Sequence, residues 1–327
     1  MPNPNTPTNT INRGYFFAFL SAVILSTTGI LIRYLTQNYH LPALILALWR
    51  ELFVVLSLLL VLSIFRPHLL KLPRTYLPFM VVYGFVLALF NSSWTLSVSL
   101  NGAAVATVMS YSSAAFTAIL AWWFLKENLG MGKIAAVILS LAGCLLVSGA
   151  IYATEWQANL MGIFTGILSG LCYAVYSLMG RTVTQCGLNP WTMLLYTFAF
   201  AAVFLLGFNL FSGGVLPGTA ARGNSLLWPD LSGVGWIILF VLAAGPTLMG
   251  YGTYNLSLTY LPSSVANLIV TLEPVFTTII AYLVFDEVLT LIQFIGGLMI
   301  VGGVVVIRLT EGLKTAANGT SEMNPAA

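Results

Sequence analysis

The chain has 327 residues, 59% of them hydrophobic and only 6% charged, with a formal net charge of +3. Soluble domains carry about 25% charged residues, so this chain cannot clothe a water-facing surface and reads as an integral membrane protein. Its twelve basic residues are spread along its whole length, which excludes a nucleic-acid surface and leaves membrane lipid as its surroundings.

Residues 1–13 are polar and rich in Pro and Asn, which predicts a disordered N-terminal tail. No basic stretch followed by a short apolar core marks a cleaved signal peptide. Ten apolar runs follow, at about 14–35, 43–65, 76–99, 102–125, 131–151, 160–182, 190–211, 232–258, 264–285 and 289–308. Each approaches the roughly 20 residues that a spanning helix needs, and they are called spans 1 to 10 below. Their continuity excludes the alternating strands of an outer-membrane barrel. Residues 311–327 are polar again and predict a disordered C-terminal tail.

With the N-terminus inside, the inner side collects Arg13, Arg66, Lys71, Arg74, Lys126, Lys133, Arg181, Arg308 and Lys314. The outer side collects Arg33 and Arg222, and Arg50 lies within span 2. Basic residues favour the cytoplasmic side, so both termini are expected there. The loops joining spans 5 and 6 and spans 7 and 8 are the longer outer ones, and Trp156, Trp228 and Trp236 beside them suit an interfacial aromatic belt.

The sequence repeats itself. Displaced by 160 residues, Leu96-Ser97, Val105-Ala106, Phe116-Thr117, Ile119, Ala121, Glu127, Leu129 and Gly143 meet Leu256-Ser257, Val265-Ala266, Phe276-Thr277, Ile279, Ala281, Glu287, Leu289 and Gly303. Nearer the start a displacement of 148 aligns Gly14, Phe16, Leu20, Ser21, Arg33, Gln37 and Pro42 with Gly162, Phe164, Leu168, Ser169, Arg181, Gln185 and Pro190. The fold class expected is therefore an all-α membrane protein of ten transmembrane helices in two five-helix repeats, 14–151 and 152–310. Five is odd, so the second repeat enters the membrane inverted, as in many transporters. Charge agrees: Lys126-Glu127 ends span 4, and Asp286-Glu287 ends its mate on the opposite side.

The stretch LEPVFTTIIAYLVFDEVLTLIQFIGGLMIVGGVVVI at 272–307, its degenerate partner at 112–147, and Trp49-Arg50 resemble the EamA-type drug/metabolite transporter superfamily. The resemblance covers nearly the whole chain, and the length and the wording of spans 3 and 4 are similar to the YddG-like bacterial amino-acid exporters. It implies a ten-helix carrier in the bacterial inner membrane that exports amino acids, aromatic and other neutral ones, and some cationic drugs. One position departs from the internal match: Ser113-Ala114 in span 4 stands where span 9 has Glu273-Pro274.

Positions three and four apart share a helix face. Asn267, Thr271, Pro274 and Thr278 form such a stripe in span 9, with Glu273 at its edge, and Thr107, Ser110, Tyr111, Ser113 and Thr117 form the matching stripe in span 4. Asn91 and Trp94 in span 3, Tyr173 and Tyr176 in span 6, and Tyr251, Tyr254 and Asn255 in span 8 complete the candidate cavity. Polar groups facing lipid lack partners, so these stripes should face inward. The small hydroxyl residues also suit plain helix packing. The bulky amphipathic ones suit a wall that holds an amino acid by hydrogen bonds and cation–π contacts. Glu273 has three readings: structural pairing with a neighbouring hydroxyl, substrate contact, or proton coupling. Arg50 reads as structural or coupling, and Pro246 and Pro274 as hinges.

Cys144, Cys172 and Cys186 lie in or beside apolar runs and imply no disulfide framework. His40 and His68 sit in or near loops, so no metal site is expected, and no nucleophile, phosphate-loop or zinc motif occurs. The reading is a secondary transporter that exports amino acids by alternating access, needing no cofactor and compatible with a monomer. The alternatives are a multidrug or other small-metabolite exporter of the same fold and, less favoured, a membrane enzyme or receptor. Phosphorylated cargo would want several cavity cations, and the spans offer almost none beyond Arg50.

Overall fold

Apolar runs of this length leave the backbone one way to satisfy itself in lipid, the helix, and the described chain is helical with no strand among the described residues. The computed structural model describes residues 7–149, 151, 159–211, 218–219, 226, 229–285 and 290–322. Span 1 comprises α1 (Pro7–Leu25) and α2 (Thr28–Tyr39), and span 2 is α3 (Ala43–Phe65). Spans 3 and 4 are α4 (Leu77–Tyr111) and α5 (Ser113–Phe124), span 5 is α6 (Met131–Val147), span 6 is α7 (Leu160–Gln185) and span 7 is α8 (Pro190–Phe211). Span 8 joins α9 (Gly233–Leu242) to α10 (Leu248–Tyr260), span 9 joins α11 (Ser263–Val270) to α12 (Glu273–Phe285), and span 10 is α13 (Leu291–Glu322). Nine helical stretches among the described residues are long and apolar enough to cross a membrane, and Met131–Val147 is a shorter apolar tenth. Leu60, Ile64 and Phe240 are among the large apolar side chains left exposed, as a lipid-facing surface requires.

Helix reaches into both stretches expected as disordered tails, 1–13 and 311–327, of which residues 1–6 and 323–327 lie outside the described residues. The first helix begins at Pro7 and the last continues to Glu322. Proline suits a first helical position, and the stretch after residue 310 is supplied with Glu, Leu, Lys and Ala, all good helix formers. The loop residues 152–158, Trp228 and Asp286-Glu287 lie outside the described residues.

α4 is helical from Leu77 to Tyr111, yet the chain reverses inside it. Ser97 Oγ donates to Gly162 O at 2.7 Å, and a Cβ built on Gly166 would lie 2.7 Å from both Ser97 Oγ and Met109 Cβ. A straight helix would separate Ser97 from Met109 by about 18 Å. The stretches Arg74–Val98 and Val105–Phe124 are thus separate spans.

The packing obeys the sequence repeat. Span 3 lies on span 6 as span 8 lies on span 1, and span 4 lies on span 6 as span 9 lies on span 1. Spans 2 and 7, 4 and 9, and 5 and 10 each pack against their own mates. A Cβ on Gly143 would lie 2.6 Å from Gly296 O, and one on Gly303 would lie 2.8 Å from Ala136 O. Gly303 is the repeat mate of Gly143, and Gly296 of Ala136. Exchange of the halves therefore reproduces the contact between two antiparallel helices, which requires a two-fold axis across them. The repeats are inverted.

Four spans are broken among the described residues, each with a visible cause. In span 8, Pro246 lacks the N–H that Leu242 O would accept, and Thr247 Oγ1 donates there instead at 2.8 Å, within a wide turn at Ala243–Thr247. In span 1, Ser26 and Thr27 turn their hydroxyls onto Val23 O and Ile24 O, and Thr277 of span 9 donates to Ser26 O at 3.0 Å. Span 9 breaks at Thr271-Leu272, just ahead of Pro274. The difference between Ser113-Ala114 and Glu273-Pro274 predicts that spans 4 and 9 diverge there. Span 4 nevertheless breaks too, at Ser112, the repeat mate of Leu272. No proline is needed, because Ser112 Oγ donates to Met109 O and covers the carbonyl that the break frees.

Candidate functional site

Spans 4 and 9 cross at their breaks. Thr117 stands five residues after Ser112 and Asn267 five before Leu272, and Asn267 Nδ2 donates to Thr117 Oγ1 at 3.0 Å. Tyr111 stands one before and Glu273 one after, and the Tyr111 hydroxyl meets the Glu273 carboxylate. Equal and opposite offsets place both breaks at the two-fold axis. Broken helices meeting at such an axis expose backbone groups and short polar side chains to one interior space.

A polar knot lies on the chain-end side of the crossing. Ser113 Oγ donates to Asn267 Oδ1 at 3.3 Å, Asn267 Nδ2 also reaches Ser177 Oγ at 3.4 Å, and Ser177 Oγ lies 2.5 Å from the Tyr254 hydroxyl. The Tyr176 hydroxyl and the Asn255 amide are 3.1 Å apart. An aromatic nest surrounds it: Tyr176 stacks on Tyr83 at 4.7 Å and on Tyr173 at 6.0 Å, Tyr251 meets Tyr176 edge-on, and Phe90 tilts against Tyr173.

The candidate residues divide by burial. Ser113, Thr117, Asn255, Asn267, Thr271, Tyr173, Tyr176 and Tyr254 are buried. Trp94, Thr107, Ser110, Tyr111, Tyr251 and Glu273 are only partly buried. Thr271 turns its hydroxyl onto Leu268 O at 2.6 Å, within its own turn.

Asn91 belongs to a different cluster. It is 2% exposed, its Oδ1 accepts from Arg50 Nη2 at 2.6 Å, and its Nδ2 donates to Glu51 Oε1 at 2.5 Å. Arg50 and Glu51 pair at 3.5 Å, 4% and 0% exposed. Asn91 thus bridges the two charges from span 3, and Arg50 stays inside rather than reaching for the membrane surface. Trp49 beside them packs edge-on to Trp236 at 4.8 Å, so Trp236 is tied into the fold between Trp49 and Phe53.

Two features escaped the sequence reading. Ser177 joins the knot; it lies four residues after Tyr173 on the same helix face, a spacing that was available as a signal. The second joins Glu127 and Lys133 to Ser263 and Ser264 across the halves. Spacing along one helix cannot reveal it, because the partners lie 131 to 137 residues apart. Cys144 and Cys172 are buried and Cys186 exposed, all free thiols. Among the described residues no group of His, Cys, Asp and Glu is placed to hold a metal.

Comparison with known proteins places this geometry in context. The profile of the EamA-like transporter family matches the chain twice, over residues 12–149 and 160–309. An uncharacterized transporter of Archaeoglobus fulgidus is 26% identical over 67% of this chain and 74% of its own. The Bacillus subtilis uncharacterized transporter YdfC is 27% identical over 79% of each chain. A protein of Rickettsia bellii named an S-adenosylmethionine uptake transporter is 26% identical over 55% of this chain and 58% of its own. One crystal structure of a protein superposes with a TM-score of 0.73 at 18% identity, covering 91% of this chain and 97% of that one.

Proposed function

Because the chain belongs to the EamA-like transporter family, a family of membrane carriers for small substrates, we propose that it exports amino acids across the bacterial inner membrane. Its cargo is aromatic and other neutral amino acids, and it works by alternating access between the halves 14–151 and 152–310. Both chain ends lie in the cytoplasm in this reading; a C-terminal reporter active only outside the cell overturns that assignment.

The observation that supports the cargo is the partial exposure of six candidate residues on spans 3, 4, 8 and 9. Trp94, Tyr111 and Tyr251 supply aromatic faces, Thr107 and Ser110 hydroxyls, and Glu273 a carboxylate, all partly exposed. An ammonium ion is attracted to aromatic faces and to a carboxylate, while an apolar side chain is satisfied by the same rings. In this reading the knot of Ser113, Asn267, Ser177 and Tyr254 closes the site on the chain-end side. Pro246 and Pro274 mark where spans 8 and 9 bend as the halves rock.

Counterflow of labelled phenylalanine and leucine in proteoliposomes tests this. Exchange of either is the expected result, and none overturns the amino-acid reading. A second reading has a specific motive in the Rickettsia bellii relative, named for S-adenosylmethionine uptake. That molecule is an amino acid with a cationic sulfonium and an aromatic base, so the same wall suits it. Counterflow of S-adenosylmethionine without that of phenylalanine selects this reading.

A further inference from the structure

We infer that Glu127 is the latch of the transport cycle: it caps span 9 from the other half, holds the chain-end face shut, and so makes the resting carrier open to the opposite face. The inference rests on the carrier reading but not on the identity of its cargo.

Ten spans put the chain ends, the 4–5 turn and the 8–9 turn on one face. There Glu127 Oε1 accepts from Ser263 N and Ser263 Oγ, both at 2.9 Å, and Ser264 Oγ donates to Glu127 Oε2. Lys133 Nζ donates to Ser264 Oγ at 2.8 Å and lies 3.5 Å from Glu127 Oε2, at 3% exposure. A carboxylate at a helix N-terminus satisfies free N–H groups and meets the positive end of the helix dipole. Here that carboxylate comes from the first repeat and the helix from the second. Rocking the halves apart at this face must therefore break a set of charge-assisted bonds.

The inverted repeat provides an internal control. At the opposite face the sequence has Ala103 and Ala104 where Ser263 and Ser264 stand, and Gln293 where Lys133 stands. Alanine offers no hydroxyl. Gln293 makes no bond to a carboxylate: its Oε1 accepts from Thr290 N of its own turn at 3.0 Å, and its Nε2 donates a single neutral bond across the halves to Val147 O at 3.4 Å. The sequence therefore equips only the chain-end face with these hydroxyl and ammonium partners.

Burial runs the same way. In five mated pairs, Trp94 with Tyr254, Thr107 with Asn267, Tyr111 with Thr271, Glu273 with Ser113 and Thr277 with Thr117, the first member lies toward the opposite face and the second toward the chain ends. Every first member is partly exposed and every second one is buried. Mated positions share their place in the fold, so this difference, from which the pair Asn91 and Tyr251 departs because Asn91 is drawn into the Arg50–Glu51 cluster, supports a carrier shut at the latched face and open at the other.

The test is site-directed labelling of full-length protein in proteoliposomes. Thr117→Cys, in a background with the three native cysteines replaced, is exposed to a membrane-impermeant maleimide from the chain-end face. Little labelling is expected with Glu127 intact. Glu127→Ala and, independently, Ser264→Ala should raise it roughly tenfold and several-fold, as loss of charge-assisted bonds allows. Glu127→Asp should restore part of the protection. Detergent melting curves identify any variant that fails to fold, and Ser264→Ala, a small change, carries the test in that case. Strong labelling with Glu127 intact, or no rise in either folded variant, overturns the latch. Neither result depends on whether amino-acid counterflow succeeds.

Discussion

At the residue scale, the buried Arg50, Glu51 and Asn91 and the partly exposed rim make opposite predictions. Arg50 Nε and Glu51 Oε2 are buried without a hydrogen-bond partner among the described residues, so the pair is held by few bonds. Removing one charge strands the other in a low-dielectric interior, at a cost of about 3–5 kcal/mol. Glu51→Ala should therefore lower the melting temperature of the purified protein strongly. Asn91→Ala, which removes a hydrogen bond from each charge but leaves the pair, should cost about 1.5–3 kcal/mol. Replacing both charges with Met should be far milder than Glu51→Ala alone. Equal losses in all three variants would show that the pair is not a coupled unit. At the rim the effect belongs to transport. Trp94→Ala should raise KM for an aromatic amino acid by roughly fivefold, since a partly exposed cation–π contact is worth about 1 kcal/mol, with the melting curve little changed. Tyr111→Phe keeps the ring and removes only the hydroxyl on Glu273. If Glu273 is a structural partner, that change should move stability more than KM; the reverse ordering makes Glu273 a substrate contact.

At the element scale, the breaks in spans 4 and 9 show where local chemistry ends and packing takes over. Pro274 explains the break in span 9, and any reader of the sequence finds it. Ser112 does not announce a break; serine sits in many continuous helices. What fixes it is the close approach of span 6, where a Cβ on Gly170 would come within 3.0 Å of Met109 O. Pro274→Ala should therefore leave counterflow within about threefold, because the packing that bends span 4 without proline acts at the mated site as well. Gly170→Val should push on the Met109–Ser112 turn and cost about 1–3 kcal/mol in a melting experiment. A silent Gly170→Val alongside an inactive Pro274→Ala would assign the span 9 break to its proline and overturn the role of span 6 packing in bending span 4. The extension of the end helices to Pro7 and Glu322 has the complementary origin: composition flagged both ends as polar, but polarity and helix propensity are separate properties.

At the scale of the whole molecule, the two-fold axis has a direct consequence. Gly143 and Gly303 occupy equivalent places in the contact between spans 5 and 10, each too close to a carbonyl of the facing helix for a side chain. Leu at either should cost similar stability, about 1–3 kcal/mol, and measured losses differing by more than twofold would break the symmetry argument. The amino-acid sequence by itself determined the membrane setting, the ten spans, the two five-helix repeats and their inversion. These follow from apolar length, the spacing of Gly, Ser and Glu at 160 residues, and the odd number of helices in each half, all properties carried along one strand of text. It also named the inward stripes, because a helix face is a matter of spacing. Only the tertiary structure decided which stripe residues are buried and which are partly exposed, that Asn91 bridges a buried ion pair, that Ser177 joins Asn267, and that Glu127 caps a helix begun 136 residues later at Ser263. Each of these is a contact between distant segments whose partners are set by how the two halves dock, and the near-symmetry of the sequence hides the small differences, Ser264 against Ala104 and Lys133 against Gln293, that only acquire meaning once the two faces can be compared.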